Sequence, residues 1–155
     1  MEALTLNQIA QAVGGSLLGH GIDGSAAVTE VSTDSRRIKK GCLFLPLVGD
    51  KFDGHDFISS ALAAGAGGCL TARDPEEMLP GKFYIRVADT QDALRDLAVY
   101  YRSLFDIPVV AVTGSVGKTT TKDMVSAVLG EKYRVLKTDG NFNNNIGLPL
   151  TVLRL

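Results

Sequence analysis

Residues 113–120 read Thr-Gly-Ser-Val-Gly-Lys-Thr-Thr and follow the apolar run Ile107-Pro108-Val109-Val110-Ala111-Val112. An apolar strand that breaks into glycines and then into Lys-Thr has few folds open to it. The order predicts a strand, a phosphate-binding loop and a helix, in an α/β architecture. Gly114 and Gly117 let the backbone curl with its N–H groups pointing inward. Those donors, with the start of the following helix, cradle an anion. Lys118 is then placed to reach the β- and γ-phosphates of a nucleotide, and the Thr119 hydroxyl to hold Mg²⁺. The general Walker pattern also asks for a glycine five residues before the glycine of Gly-Lys, where this chain has Val112. The strict pattern fails, and the shorter form T-G-S-x-G-K-T-T remains; a glycine-rich turn without a ligand is the plain alternative. Downstream, Met124, Val125, Val128 and Leu129 form an apolar stripe at helical spacing, and Gly130 is a stop signal.

A length of 155 residues allows one domain, or one domain and part of another, and 45% apolar residues suffice for a packed core. The net charge of −1 argues against a nucleic-acid surface built on bulk charge. No apolar stretch is long enough to span a membrane, and the start lacks the basic and apolar regions of a secretory signal. A cytoplasmic location is therefore expected, with no membrane insertion and no nucleic-acid partner. Cys42 and Cys69 sit apart in apolar stretches and read as core residues, not as a zinc site or a disulfide.

Along the chain, Thr5-Leu6-Asn7-Gln8 predicts a capping box opening a helix with Leu6, Ile9, Ala10 and Val13 on one face, closed by Gly14. Strands are expected at 16–18, 28–32, 42–48, 68–71, 83–87 and 134–136, with Pro46 favouring an edge or an irregularity. A short helix is expected around Phe57–Leu62, closed by Gly65, and a longer one from a Thr90 cap to Phe105. A new amphipathic segment begins at Pro149. The main boundary is expected between Val87 and Ile107. A phosphate-loop domain needs several more parallel strands than residues 107–155 supply, so the chain reads as the N-terminal piece of a longer protein.

Two further segments can bind anions. Asp34-Ser35-Arg36-Arg37 follows a strand, and its hydroxyl and guanidinium groups suit a phosphate or a base edge; an exposed polar turn is the alternative. Gly49-Asp50-Lys51-Phe52-Asp53-Gly54-His55-Asp56 runs into a helix start. Its glycines, free N–H groups and Lys51 suit a diphosphate; a loop with Asp56 as helix cap is the alternative. His55 has no neighbouring metal ligand and reads as a helix-start hydrogen-bonding residue.

These pieces in this order resemble the Mur ligase family of peptidoglycan synthesis. The carrying segments are S-T-D-S-R-R at 32–37, G-D-K-F-D-G-H-D-F at 49–57, T-G-S-V-G-K-T-T at 113–120 and G-N-F-N-N-N-I-G-L-P-L-T at 140–151. The second and fourth point to the member that adds D-alanyl-D-alanine to UDP-N-acetylmuramoyl-tripeptide. The resemblance implies a small α/β domain at 1–85 that binds the UDP end of that substrate. The truncated start of a P-loop ATPase domain follows at 86–155. It implies ATP and Mg²⁺ as cofactors and amide formation through an acyl-phosphate that the dipeptide amine attacks. The missing C-terminal domains of the same chain are partners, and this chain alone is expected to be inactive.

By the same resemblance, Lys118 is the catalytic cation and Gly114, Ser115, Val116, Gly117, Lys118, Thr119 and Thr120 bind ATP, with Thr119 on the metal. Asp34, Ser35, Arg36, Lys51, Phe52 and Asp53 contact the UDP substrate. Asn141, Asn144 and Asn145 line the active site or form an Asn-rich turn with local hydrogen bonds. The competing readings are the sibling ligase that adds the third amino acid, a non-catalytic UDP-sugar-binding module, and an unrelated phosphate-loop kinase or GTPase.

Overall fold

The computed structural model describes residues 1–49, 52–75, 77–140 and 144–155. The chain is α/β and divides into two compact units, Met1–Leu97 and Ala98–Leu155.

In the first unit, β1 (Leu4–Thr5) leads directly into α1 (Leu6–Ala12). Thr5 caps the helix. Its hydroxyl accepts the Gln8 N–H at 3.2 Å, and the Gln8 side chain accepts the Thr5 N–H at 2.9 Å. At the other end Gly14, with φ +59°, lets the N–H of Gly15 reach the carbonyl of Ala10 at 2.8 Å. This is the six-to-one bond of a left-handed helix stop. β2 (Ser16–Leu18) follows. The expected strand at 28–32 is two strands in different sheets. β3 (Ala27–Val28) pairs antiparallel with β1, and β4 (Val31–Ser32) joins the main sheet. The expected strand at 42–48 also divides, into β5 (Leu43–Phe44) and β6 (Val48–Gly49), with Pro46 between them. β5 is an interior strand, so the proline interrupts the run without making it an edge.

β7 (Phe52–Asp53) pairs with β6 as a hairpin, and a 3-10 turn at Gly54–Phe57 passes into α2 (Ile58–Ala63). β8 (Gly68–Thr71) and β9 (Phe83–Arg86) complete a sheet of order β2-β9-β8-β5-β4. β4, β5, β8 and β9 are parallel, and β2 runs against β9. All four residues of β8 are buried, as a parallel strand covered on both faces requires. α3 (Thr90–Ser103) spans the boundary of the units. Its cap is Asp89, whose carboxylate accepts the N–H groups of Gln91 and Asp92; Thr90, the expected cap, is the first helical residue.

The second unit contains α4 (Lys118–Gly130) and α5 (Gly147–Val152). The expected strands at 107–112 and 134–136 are absent: no strand is assigned over either range. A strand needs a partner to pair with, and among the described residues neither segment has one. Val109 and Val110 are accordingly exposed. The helical stripe of α4 is uncovered too, with Met124 65% and Val128 73% exposed. Lys122 ties α4 to the carbonyl oxygens of Thr138 (2.8 Å) and Gly140 (3.3 Å), and Lys137 pairs with Asp123 at 2.8 Å.

Gly68 marks the tightest point of the first unit. A Cβ there would lie 2.0 Å from the Phe83 carbonyl oxygen and 2.5 Å from its ring. Gly68→Ala is therefore expected to cost about 3 kcal/mol. Thr5→Ala, which removes only the cap, should cost about 1 kcal/mol. Urea denaturation of the two variants checks the ordering, and a Gly68→Ala protein as stable as the parent contradicts the packing described.

Candidate functional site

The turn from 113 to 120 is built on two left-handed glycines. Gly114 has φ +146° and Gly117, the residue before α4, has φ +79°. Neither is crowded: a Cβ on Gly117 would meet nothing within 4 Å. Backbone conformation, not space, is what these positions require of glycine. Among the described residues, the N–H groups of Ser115 to Thr120 have no backbone or side-chain acceptor; the first bonded amide is Thr121, to the Gly117 carbonyl at 2.9 Å. Six consecutive unengaged donors at the positive end of a helix are groups able to receive an anion. The Lys118 ammonium folds back over the turn and donates to the Gly114 carbonyl at 2.5 Å. It lies across the loop rather than extended from it. The hydroxyls of Thr119 and Thr120 have no partner among the described residues, and both residues are exposed. That leaves Thr119 able to serve as a metal ligand. No group of three His, Cys, Asp or Glu residues able to hold a metal ion occurs among the described residues.

Of the asparagines, Asn144 is occupied locally. Its side-chain oxygen accepts the N–H groups of Ile146 (3.2 Å) and Gly147 (2.7 Å), steering the chain into α5. Asn145 is exposed, and its side chain has no partner among the described residues. Asn141 lies outside the described residues, as does Lys51.

In the first unit the parallel strands deliver their carboxyl ends to one edge, where α/β sheets commonly bind ligands. The turn after β4 is held by Asp34. Its carboxylate accepts the Arg36 backbone N–H at 3.0 Å and grips the Arg36 guanidinium at 2.8 and 2.9 Å. The Arg36 guanidinium holds the Asp34 carboxyl down to about 2. Ser35, half-buried, keeps its hydroxyl unpartnered among the described residues. Arg36 is thus pre-positioned rather than free, although its side chain is 86% exposed.

The β6–β7 hairpin leaves the same edge. Phe52 is exposed. The 3-10 turn is capped by Asp53, which accepts the His55 N–H at 2.9 Å; Asp56, the cap in the alternative reading, instead meets Arg73 at 3.3 Å. The Asp53 side chain also binds His55 Nδ1 (2.6 Å) and Arg73, and it titrates below the usual carboxylate range, chiefly through the His55 N–H. Neither Gly49 nor Gly54 has a positive φ. Gly54 is required by close approach, since a Cβ would lie 2.6 Å from both Leu47 N and O. The engagement of Arg73 and of Ala72, whose N–H donates to His55 Nε2 at 3.0 Å, was not legible in sequence, because they lie 17 to 20 residues away with no local pattern to link them.

Comparison with known proteins bears on both segments. Residues 27–102 match the description "Mur ligase family, catalytic domain", and residues 112–155 match "Mur ligase middle domain". The chain belongs to the Mur ligase family. It is 46% identical over 151 residues to a Bacillus subtilis Mur ligase named UDP-N-acetylmuramoyl-tripeptide–D-alanyl-D-alanine ligase. It is 43% identical over 155 residues to the Escherichia coli protein of that name. The alignments cover 97% and 100% of this chain and 33% of each relative, so the chain spans about a third of their length. A MurF structure from Acinetobacter baumannii superposes with a TM-score of 0.90 at 35% identity, covering all of this chain and 33% of that one. A Thermotoga maritima MurF ligase solved in complex with ADP gives 0.73 at 38% identity over 80% of this chain and 28% of its own.

The Asp34–Arg36 fork of this Mur ligase segment makes a sign-definite prediction. The folded carboxyl titrates below its unfolded value of 3.8. Its contribution is therefore fully present above 3.8 and lost as pH falls through about 2. Carboxyl NMR should find the Asp34 midpoint near 2, and Arg36→Ala should return it toward 3.8. A midpoint that does not move refutes the fork.

Proposed function

We propose that this chain forms the N-terminal third of a cytoplasmic ATP-dependent ligase. The ligase joins D-alanyl-D-alanine to UDP-N-acetylmuramoyl-tripeptide in peptidoglycan precursor synthesis. In this reading residues 1–85 hold the UDP end of the substrate, and residues 86–155 begin the ATP-binding domain. The observation that carries it is the run of unengaged amides from Ser115 to Thr120 beside Lys118, in a chain whose relatives bear that ligase name. Among the described residues, no helix is long and apolar enough to cross a membrane.

A carboxylate is a poor acyl donor, and activating it with a phosphoryl group brings two anions together. Fixed N–H dipoles and a cation offset that repulsion without having to reorganise during the reaction. The loop amides would hold the β- and γ-phosphate oxygens. Lys118 would exchange the Gly114 carbonyl for a phosphate oxygen. The Thr119 hydroxyl would be this chain's ligand to Mg²⁺, which when bound neutralises phosphate charge. Ser35 would offer its hydroxyl to the uridine end, Asp34 would keep the turn closed and the Arg36 guanidinium fixed, and Lys51, Phe52 and the backbone at Asp53 would border the diphosphate. Asn141, Asn144 and Asn145 would serve the reacting end, Asn144 through its amide nitrogen, since its side-chain oxygen already caps the turn into α5.

The test uses the full-length parent enzyme. Lys118→Ala should lower the rate of ligation with D-alanyl-D-alanine by at least about a hundredfold. Affinity for UDP-N-acetylmuramoyl-tripeptide should stay within about twofold in calorimetry, since the lysine is assigned to ATP alone. An unchanged rate removes Lys118 from the mechanism. A parent that prefers a single amino acid as acceptor removes the dipeptide assignment.

A further inference from the structure

We propose that His55 is a positioning residue. It locks the base of the β6–β7 hairpin to the end of β8, and it does so as the neutral imidazole protonated on Nδ1. The inference deepens the functional reading above, in which this edge takes the UDP-linked substrate.

The His55 side chain is only 4% exposed, and both ring nitrogens are used. Nε2 lies 3.0 Å from the backbone nitrogen of Ala72. A backbone N–H can only donate, so Nε2 must present its lone pair. The ring proton is then on Nδ1, 2.6 Å from an Asp53 carboxylate oxygen. The other oxygen of Asp53 takes the guanidinium of Arg73, the residue next to Ala72. Two adjacent residues leaving β8 therefore hold two residues at the foot of the hairpin: three hydrogen bonds, closed into a ring by the Ala72–Arg73 peptide bond, join the four. Thr71 fixes the strand end of that ring: its hydroxyl accepts the Arg73 N–H at 3.0 Å and donates to the Arg73 carbonyl at 2.7 Å. Gly54 closes the remaining side by donating to the Leu47 carbonyl at 2.9 Å.

This ring lies at the exit of the strands, not in the apolar cluster around Phe44, Cys69 and Tyr84. An apolar side chain of similar size could fill the space of His55, but it could not set the direction in which the hairpin leaves the sheet. Orientation of Phe52 and Asp53 is what the imidazole supplies.

The experiment compares His55→Gln, which keeps a donor and an acceptor, with His55→Leu, which keeps neither. Calorimetric titration of each chain with UDP-N-acetylmuramoyl-tripeptide should show about tenfold weaker binding for His55→Leu and a substantial recovery for His55→Gln. Hydrogen exchange at the Ala72 amide should accelerate in His55→Leu and stay slow in His55→Gln. Equal affinity in all three chains overturns the proposal, as does an equal loss in both variants. If His55→Leu fails to fold, the unmodified chain still decides: ¹⁵N NMR of its imidazole must show the proton on Nδ1, and a proton on Nε2 overturns the assignment. An unmodified chain that does not bind the UDP substrate refutes the functional reading of this edge and, with it, any role for His55 in substrate positioning.

Discussion

Parallel pairing of β5 with β8, Leu43 against Gly68 and Phe44 against Cys69, sets the direction of everything the first unit can present. With β4 and β9 running the same way on either side, the connections after β4, β5 and β8 must all leave from one edge. On the other side of β8, pairing with β9 requires that Gly68 have no side chain where the Phe83 ring and carbonyl lie. The three loops that emerge are then shaped by local polar chemistry. Asp34 folds the first, Gly54 and Asp53 the second, and Thr71 the third. None of these contacts is a large source of stability. Their effect is to restrict orientation at an edge the packed core has already put in place.

The second unit works by the opposite means. Its candidate site is a stretch of backbone whose hydrogen-bonding capacity is left open. Burying such donors unpaired would be costly, and the loop avoids that cost by staying exposed. The Lys118 ammonium rests on the Gly114 carbonyl, an acceptor of the same turn. The apolar stripe of α4 is likewise left bare, with Met124 and Val128 exposed.

What could be read from sequence follows from how local each signal is. The capping box at Thr5 and Gln8 and the glycine stops at Gly14 and Gly65 are contained within a few residues, and each occurs as read. The curvature of the turn at 113–120 is local too, since Gly114 and Gly117 both take positive φ values. Strand pairing is not local. The run Ile107–Val112 has the composition of a buried strand, but composition cannot provide a neighbour, and the segment forms no ladder. The split of 28–32 between two sheets was hidden for the same reason, since Val28 answers to Leu4 and Val31 to Leu43. At the candidate substrate edge, Asp34 closing its own turn was foreseeable from Asp-x-Arg spacing. The ring through His55, Ala72 and Arg73 was not, because it joins segments brought together only by the sheet.

The central claim is that the amides from Ser115 to Thr120 are a phosphate receptor. It is tested most directly by following backbone amide NMR signals during titration with Mg²⁺-ATP. Saturable shifts confined to residues 114–120, with the turn at 34–37 unmoved, are the result expected. Amides at 114–120 that stay in place at millimolar nucleotide would contradict it.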